Sequence, residues 1–268
     1  MSQKDITIMI AAHKPYRMPS DAMYLPVHAG AALSDQELGY ARDDGGENIS
    51  AKNRSYCELS VLYWGWKNLE SDYIGLVHYR RHFSLSRKGK DPFENILRYE
   101  ELKPMLYRYA LFVPAKRHYV IESLYSHYAH THYADQLDLT GQIINELYPE
   151  YTADFQKVMK RTWGYMFNMM IMRKDLLDEY CQWLFTILEE LERRYDGSGL
   201  DSFQARFFGR ISELLLNVWI ERQLESGRIR RDQIRELHYI HMEPVNWLVK
   251  GSSFLKAKFM KRKYDRSF

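Results

Sequence analysis

The stretch DYIGLVHYRRHFS, residues 72–84, joins a short apolar run to two histidines and two arginines with aromatic rings between them. YIGLVH (73–78) has the content of a strand covered on both faces. His78, Tyr79, Arg80 and Arg81 close that run, and neither a sheet interior nor a plain loop favours such a mixture. In open α/β sheets, ligands bind beyond the carboxyl ends of the strands. An arginine fork at that place offers bidentate donors that match phosphate oxygens. The bland alternative is a surface loop with arginines in ion pairs, and composition alone weighs the two equally.

The segments around this strand decide its setting. SAKNRSYCELSVLYWGWKNLE (50–70) precedes it, with Tyr56, Leu59, Leu62, Tyr63, Trp66 and Leu69 at three- and four-residue spacing. That spacing predicts a helix with an aromatic seam, and Ser50 is its N-cap by residue type. ITIMIAA (6–12) reads as a second buried strand, stopped at His13-Lys14-Pro15. Strand, loop, helix and strand at this length form a βαβ unit, so a parallel sheet is the default. From Tyr16 to Asn53, Pro19, Pro26, Gly30, Gly39 and DDGGENIS (43–50) read as a long irregular loop, often functional in this place. ALFVPA (110–115) is a third strand, and 118–151 reads as two helices. GYMFNMMIMRKD (164–175) begins as a fourth strand and gives way to an amphipathic helix over 176–195. FFGRISELLLNVWIERQLE (207–225) is another helix. The expected class is α/β: a mixed, mostly parallel sheet flanked by helices, with extra C-terminal helices. Residues 1–225 make the main domain and 226–268 a helical, basic extension.

Composition narrows the function classes. The 268 residues are 46% apolar and 27% charged, which excludes long-range disorder. A net charge of +3 is too small to draw nucleic acid by bulk electrostatics. The 15% aromatic content, with 21 Tyr and 6 Trp, supplies flat surfaces suited to packing and to stacking on bases or sugars. Cys57 and Cys181 both fall on apolar helix faces, so both are expected to be buried free thiols of a reducing compartment. The N-terminal apolar run of about six residues is too short for a signal peptide or a span. A cytosolic protein, or one attached to a membrane surface, is expected.

Several residues stand out as chemistry. His13 and Lys14 place a cation at the end of the first strand, as HYRR does at the second, and the fold would bring the two together. DDGGENIS offers hard oxygen ligands for a ribose or a divalent cation; a tight turn and a cap account for its glycines, leaving Asp43, Asp44 and Asn48 as ligand candidates. His127, His130 and His132 suggest a metal cluster, but 132 lies about 200° around a helix from 130 at roughly 3.6 residues per turn. Zinc spacings are missing too, so a helix surface is the better reading. Asn168 sits inside an apolar stretch where an unpaired amide is costly. Glu213 opens an otherwise apolar helix, as helix-start electrostatics or as a base.

Four motifs in order, NISAKNRSYCELSVLYWGWKN, DYIGLVHYRRHF, FNMMIMRKDLLDEYCQWLF and FGRISELLLNVW, resemble a family of bacterial glycosyltransferases of capsular, exopolysaccharide and O-antigen assembly. Many of its members carry only a domain-of-unknown-function label. The resemblance runs from the first strand to about residue 225. It implies a GT-A-like fold with a Rossmann-type sheet, and inverting transfer from UDP-galactose or UDP-galactofuranose. It also implies a nucleotide-sugar site drawn from His13, Lys14, Asp43, Asp44, Asn48, Asn53, His78, Tyr79, Arg80 and Arg81. HYRR stands where such folds usually carry an Asp-x-Asp metal motif. That departure weighs against a manganese ion, and no metal or other cofactor is expected. By the same mapping Asn168 falls on the acceptor side. Glu213, in Ser212-Glu213-Leu214, falls where these enzymes hold the acid that takes the acceptor proton.

The C-terminal stretch from Lys250 to Phe268 is basic and aromatic, and reads equally as a solvated end or as a strip lying on an anionic membrane near a lipid-linked acceptor. A peripheral protein on the cytoplasmic face of the membrane is the matching location. The competing class is a non-catalytic module binding polysaccharide or an RNA strand through aromatics and HYRR. A buried acid near HYRR and a deep pocket at the strand ends favour the transferase; an exposed, distant Glu213 and a long open groove favour the module.

Overall fold

The computed structural model describes residues 5–85, 89–119 and 121–243. The first strand, β1 (Ile6–Ala12), is buried along its whole length. Its side chains alternate between two cores, as a pleated strand requires. Met9 and Ala11 enter one core, while Ile6, Ile8 and Ile10 enter the other. The sheet is therefore covered on both faces, which explains the continuous apolar run.

β2 (Tyr24–His28) lies parallel to β1, and the two-residue β3 (Ala41–Arg42) lies parallel to β2. Both fall inside the stretch expected to be irregular. Pro26 hid β2, because a proline argues against an interior strand. It is tolerated because β3 pairs only with Val27 and His28, so β2 is an edge at Pro26.

The helix expected over 50–70 is broken. After a single turn of 3-10 helix come α1 (Asn53–Tyr56) and α2 (Leu59–Asn68). Cys57 between them has φ 55°, the left-handed region, so the chain changes direction there. Ser50 makes no capping bond to either helix start. A Cβ on Gly65 would lie 2.1 Å from the Met9 sulfur, so this glycine sets how closely α2 rests on β1.

β4 (Tyr73–His78) runs parallel to β1 and turns at Tyr79-Arg80 into β5 (Arg81–Ser84). α3 (Tyr99–Leu106) follows on the face opposite α2, its Leu102 and Leu106 in the second core. β6 (Leu111–Pro114) comes next, then a small ribbon of β7 (Arg117–His118) with β8 (Trp163–Gly164). Between these two strands lie α4 (Leu124–Thr131), α5 (Ala134–Leu147) and α6 (Thr152–Met159). β9 (Met170–Arg173) leads directly into α7 (Lys174–Arg194). Leu177, Tyr180, Cys181, Leu184, Leu188 and Leu191 of α7 are buried at helical spacing. α8 (Phe207–Glu225) is buried on nearly all sides.

β10 (Ile234–His241) lies within the stretch expected as a separate extension, yet it enters the main sheet, parallel to β6 and antiparallel to β5. Only Leu237 of β10 is buried, so its sequence lacks the apolar alternation of a strand. The basic stretch after residue 243 lies outside the described residues.

The sheet is mixed, as expected, but it is not mostly parallel: half of its pairings are antiparallel. β1–β2, β2–β3, β1–β4 and β6–β10 are parallel; β4–β5, β4–β9, β6–β9 and β5–β10 are antiparallel. The reason lies in β4. Its first half, Tyr73–Leu76, pairs with β9, and its last residue pairs with Arg81 of the returning β5. The pairings β4–β9–β6–β10–β5–β4 close a circuit beside the open wing β1–β2–β3. HYRR lies where wing and circuit meet.

Candidate active site

A cavity of about 410 Å³ opens at the carboxyl ends of β1 and β4. Its lining includes His13, Asn53, Arg54, Cys57, Glu58, His78, Tyr79, Arg80, Arg81 and Arg206. Each comes from a chain reversal: the end of β1, the break between α1 and α2, the β4–β5 turn, and the turn before α8. Four guanidinium groups thus face one carboxylate in the lining. Arginine remains charged at any working pH, so the cavity suits an anion.

The rings hold the cations in place. Tyr79 is buried, with His13 edge-on at 5.3 Å, Lys14 Nζ at 5.5 Å and the Arg80 guanidinium at 5.3 Å from its ring. Arg80 also lies 3.6 Å from Glu243. The Arg81 guanidinium stacks on Phe167 at 3.9 Å, and its buried Nε has no hydrogen-bond partner. Burial lowers the Arg81 pKa, opposed by Glu213 and Glu58. Burial, followed by Arg80 and Lys14, also lowers that of His13. Arg54 is exposed and has no ion-pair partner among the described residues.

The wall behind His78 is a hydrogen-bonded junction of four chain segments. His78 Nε2 meets the Phe167 carbonyl at 2.7 Å and lies 3.9 Å from Glu58 Oε1. Burial, opposed by Glu58, lowers the His78 pKa; a carbonyl only accepts, so Nε2–H donates to it. Asn168 Nδ2 donates to Glu58 Oε1 at 2.7 Å and to the Gly209 carbonyl at 2.9 Å. Asn168 Oδ1 accepts from Ser212 Oγ at 2.7 Å. Phe167 and Asn168 have φ 76° and 52°, so this turn occupies the left-handed region at two successive non-glycine positions. Such a conformation persists only where the surroundings over-determine it, and the junction does so.

Glu213 sits one turn into α8, 6% exposed, with Arg210 Nη1 at 3.3 Å from its Oε1. It influences the titration of both Arg81 and Tyr119, whose phenol burial pushes up to about 12. Glu213 is thus a buried carboxylate, but it is not among the residues that line the cavity.

Asp43 is placed differently from HYRR. It is fully buried and accepts from the Gly30 and Ala31 amides at 2.8 and 2.9 Å, and from Ser50 and Ser60 hydroxyls at 2.5 and 2.7 Å. Asp44 is held by Arg42 Nη2 at 2.7 Å. The Asn48 side chain bonds the Asp44 and Gly46 carbonyls and the Ser50 amide. Asn53 lines the cavity while donating to the Cys57 carbonyl and Ser60 Oγ.

Of the three histidines expected on a helix surface, His130 is exposed on α4, His127 is half-buried and His132 is buried. His127 and His130 bring Nδ1 to the two oxygens of buried Glu122, at 3.1 and 2.8 Å, and His132 is buried against Gln204. No group of three or more His, Cys, Asp or Glu is arranged to hold a metal ion among the described residues. Cys181 is buried, whereas Cys57 lines the cavity, its Sγ 3.1 Å from Arg206 Nε; both thiols are free. A larger cavity, about 560 Å³, lies between Arg17–Asp21 and Phe93–Arg98, away from the strand ends and lined by both signs of charge.

Glu58, Arg54 and Arg206 were not read from the sequence. Each looks like a solvated helix residue, and only the left-handed residue Cys57 and the turn before α8 aim them inward. No helix among the described residues is long and apolar enough to cross a membrane.

Comparison with known proteins agrees with the resemblance found in the sequence. A structure titled "WbbM bifunctional glycosytransferase apo structure" matches with TM-score 0.83 and 31% identity, covering 90% of this chain. The match takes in 46% of that chain, so this protein spans about half its length. A comparison with curated proteins gives no match. The profile described as "Domain of unknown function (DUF4422)" matches residues 7–224, and the chain belongs to that family.

Proposed function

We propose that this protein is an inverting glycosyltransferase of GT-A-like fold. It moves a hexosyl unit, of the galactose or galactofuranose class, from a UDP-sugar to a growing lipid-linked surface polysaccharide. The observation that carries this reading is the cavity at the strand ends, where Arg54, Arg80, Arg81 and Arg206 surround space for a small anionic ligand. The likeness to a glycosyltransferase over 90% of the chain supports it.

In this reading the arginines, with His13 and Lys14, receive the diphosphate. Fixed cations at a developing leaving-group charge lower the barrier to its departure. They stand in for a divalent metal. Glu213 takes the proton of the acceptor hydroxyl as that oxygen bonds to the anomeric carbon. The bond from anomeric carbon to phosphate oxygen breaks, and UDP leaves with the electron pair. Asn168 holds the wall between donor and acceptor sides. Asp43, Asp44 and Asn48 support the loop that carries Asn53 and Arg54. The protein works on the cytoplasmic face of the membrane, and the basic C-terminus is the segment suited to contact anionic lipid. The burial of Glu213 and a cavity of small-ligand size favour a transferase over a polysaccharide- or RNA-binding module.

A thermal-shift titration with UDP, UDP-galactose, GDP and dTDP, with and without manganese, tests the reading, since a ligand of the folded state alone raises its stability. A UDP-specific shift without metal is expected, and Glu213→Gln should keep that shift while losing about 10²-fold or more in turnover. No shift with any nucleotide in a folded sample overturns the proposal. A shift only with manganese overturns the role of the arginines as metal substitutes.

A further inference from the structure

We propose that Glu58 is the residue that recognises the sugar of the donor, an inference that rests on the nucleotide-sugar reading of the cavity. Glu58 is out of place in an anion site. It is the one carboxylate among the described lining residues, set amid four arginines. A carboxylate repels a diphosphate, so its presence weakens the binding that the arginines provide. Its other property is that it accepts hydrogen bonds and donates none. The hydroxyls of a hexosyl unit are donors of the matching kind and carry no charge. The cavity thus divides by chemistry into arginines for the diphosphate and Glu58 for the polyol.

The geometry fits that division. Glu58 Oε1 accepts from Asn168 Nδ2 at 2.7 Å, and Oε2 has no partner among the described residues. The side chain is only 14% exposed, so its orientation is set by packing rather than by solvent. Asn168, bonded to Gly209 and Ser212 as well, fixes the carboxylate before any ligand arrives. The left-handed Cys57 before it turns Glu58 out of the helical path and toward the cavity. A rigid acceptor of this kind favours a ligand that carries the matching hydroxyl over an analogue that lacks it.

Calorimetric titration of the wild type and Glu58→Gln with UDP and with UDP-galactose separates the outcomes. The amide can still accept from Asn168 with its oxygen, so the fold is retained; Glu58→Ala, checked by its melting temperature, serves as the second variant. UDP-galactose should bind the wild type more tightly than UDP. In both variants UDP affinity should hold or rise severalfold as a negative charge leaves the cavity. The preference for UDP-galactose over UDP should fall about tenfold or more. Equal weakening of both ligands, an unchanged preference, or no preference in the wild type would each overturn the assignment. If the wild type binds neither ligand, the nucleotide-sugar reading itself fails, and this inference falls with it.

Discussion

Two carboxylates close together in sequence, Asp43 buried and Glu58 half-buried, behave in opposite ways. Asp43 accepts four hydrogen bonds from two amides and two hydroxyls. Glu58 accepts one, from Asn168, and keeps an oxygen toward the cavity. Asp43 is kept from water, where an unmet polar group is costly, whereas Glu58 is half-buried. The saturated acid ties the wing together, joining the Gly30 turn, Ser50 and α2. The unsaturated one lines the cavity, where the donor sugar proposed above would meet it. Hydrogen bonds already made, taken together with burial, separate the two acids.

The sharpest way to break this comparison is Asp43→Ala. It leaves two amides and two hydroxyls without their acceptor and should cost about 4 kcal/mol in urea unfolding. Nucleotide affinity per folded molecule should be unchanged. A loss of affinity at full stability would instead make Asp43 a ligand residue.

The polar cluster of Glu122 with His127 and His130 gives an intermediate test. Burial holds His127 down to about 4. The unfolded chain, with an ordinary histidine value near 6.5, then binds protons first as the pH falls. Stability should accordingly drop between about pH 6.5 and pH 4, by about 2 kcal/mol from pH 7 to pH 5. Replacing His127 by Gln should flatten that slope in a pH series of denaturant midpoints; an unchanged slope would remove His127 from the account.

Arg54→Ser should have the smallest effect and the opposite character. Arg54 is exposed and has no ion pair among the described residues, so the melting temperature should hardly move. UDP affinity should fall about tenfold, with a shallower dependence on salt. Lost stability with intact affinity would reverse the roles assigned to the two regions.

Much of the framework was legible in the sequence because its signals are local. β1, β4 and α8 fall at the residues that apolar runs and helical spacing indicate. The position of HYRR was legible for the same reason, since the apolar run that makes β4 also marks where the strand stops. What stayed hidden depends on partners distant in sequence. Pro26 reads as a strand breaker until β3 is seen to stop short of it. β10 has one buried residue and takes its place from β5 and β6. Glu58 and Arg206 look like helix surface, and the left-handed backbone at Cys57 has no marker, since glycine or asparagine would have been its usual sign. Asp43 was read as a ligand because an acid beside glycines suggests one; its four donors come from three separate turns of chain.

The junction behind His78 also bears on how the protein reaches its native state. Glu58, His78, Asn168 and Ser212 meet there from segments up to 154 positions apart in the sequence. Contacts of such separation require the intervening chain to be ordered first, since loop closure is unfavourable until it is rewarded. Without α8 docked, Asn168 behind the cavity loses its bonds to Gly209 and Ser212. A ligand that binds there acts as a clasp on the whole chain, and its binding during refolding reports the arrival of the last helix.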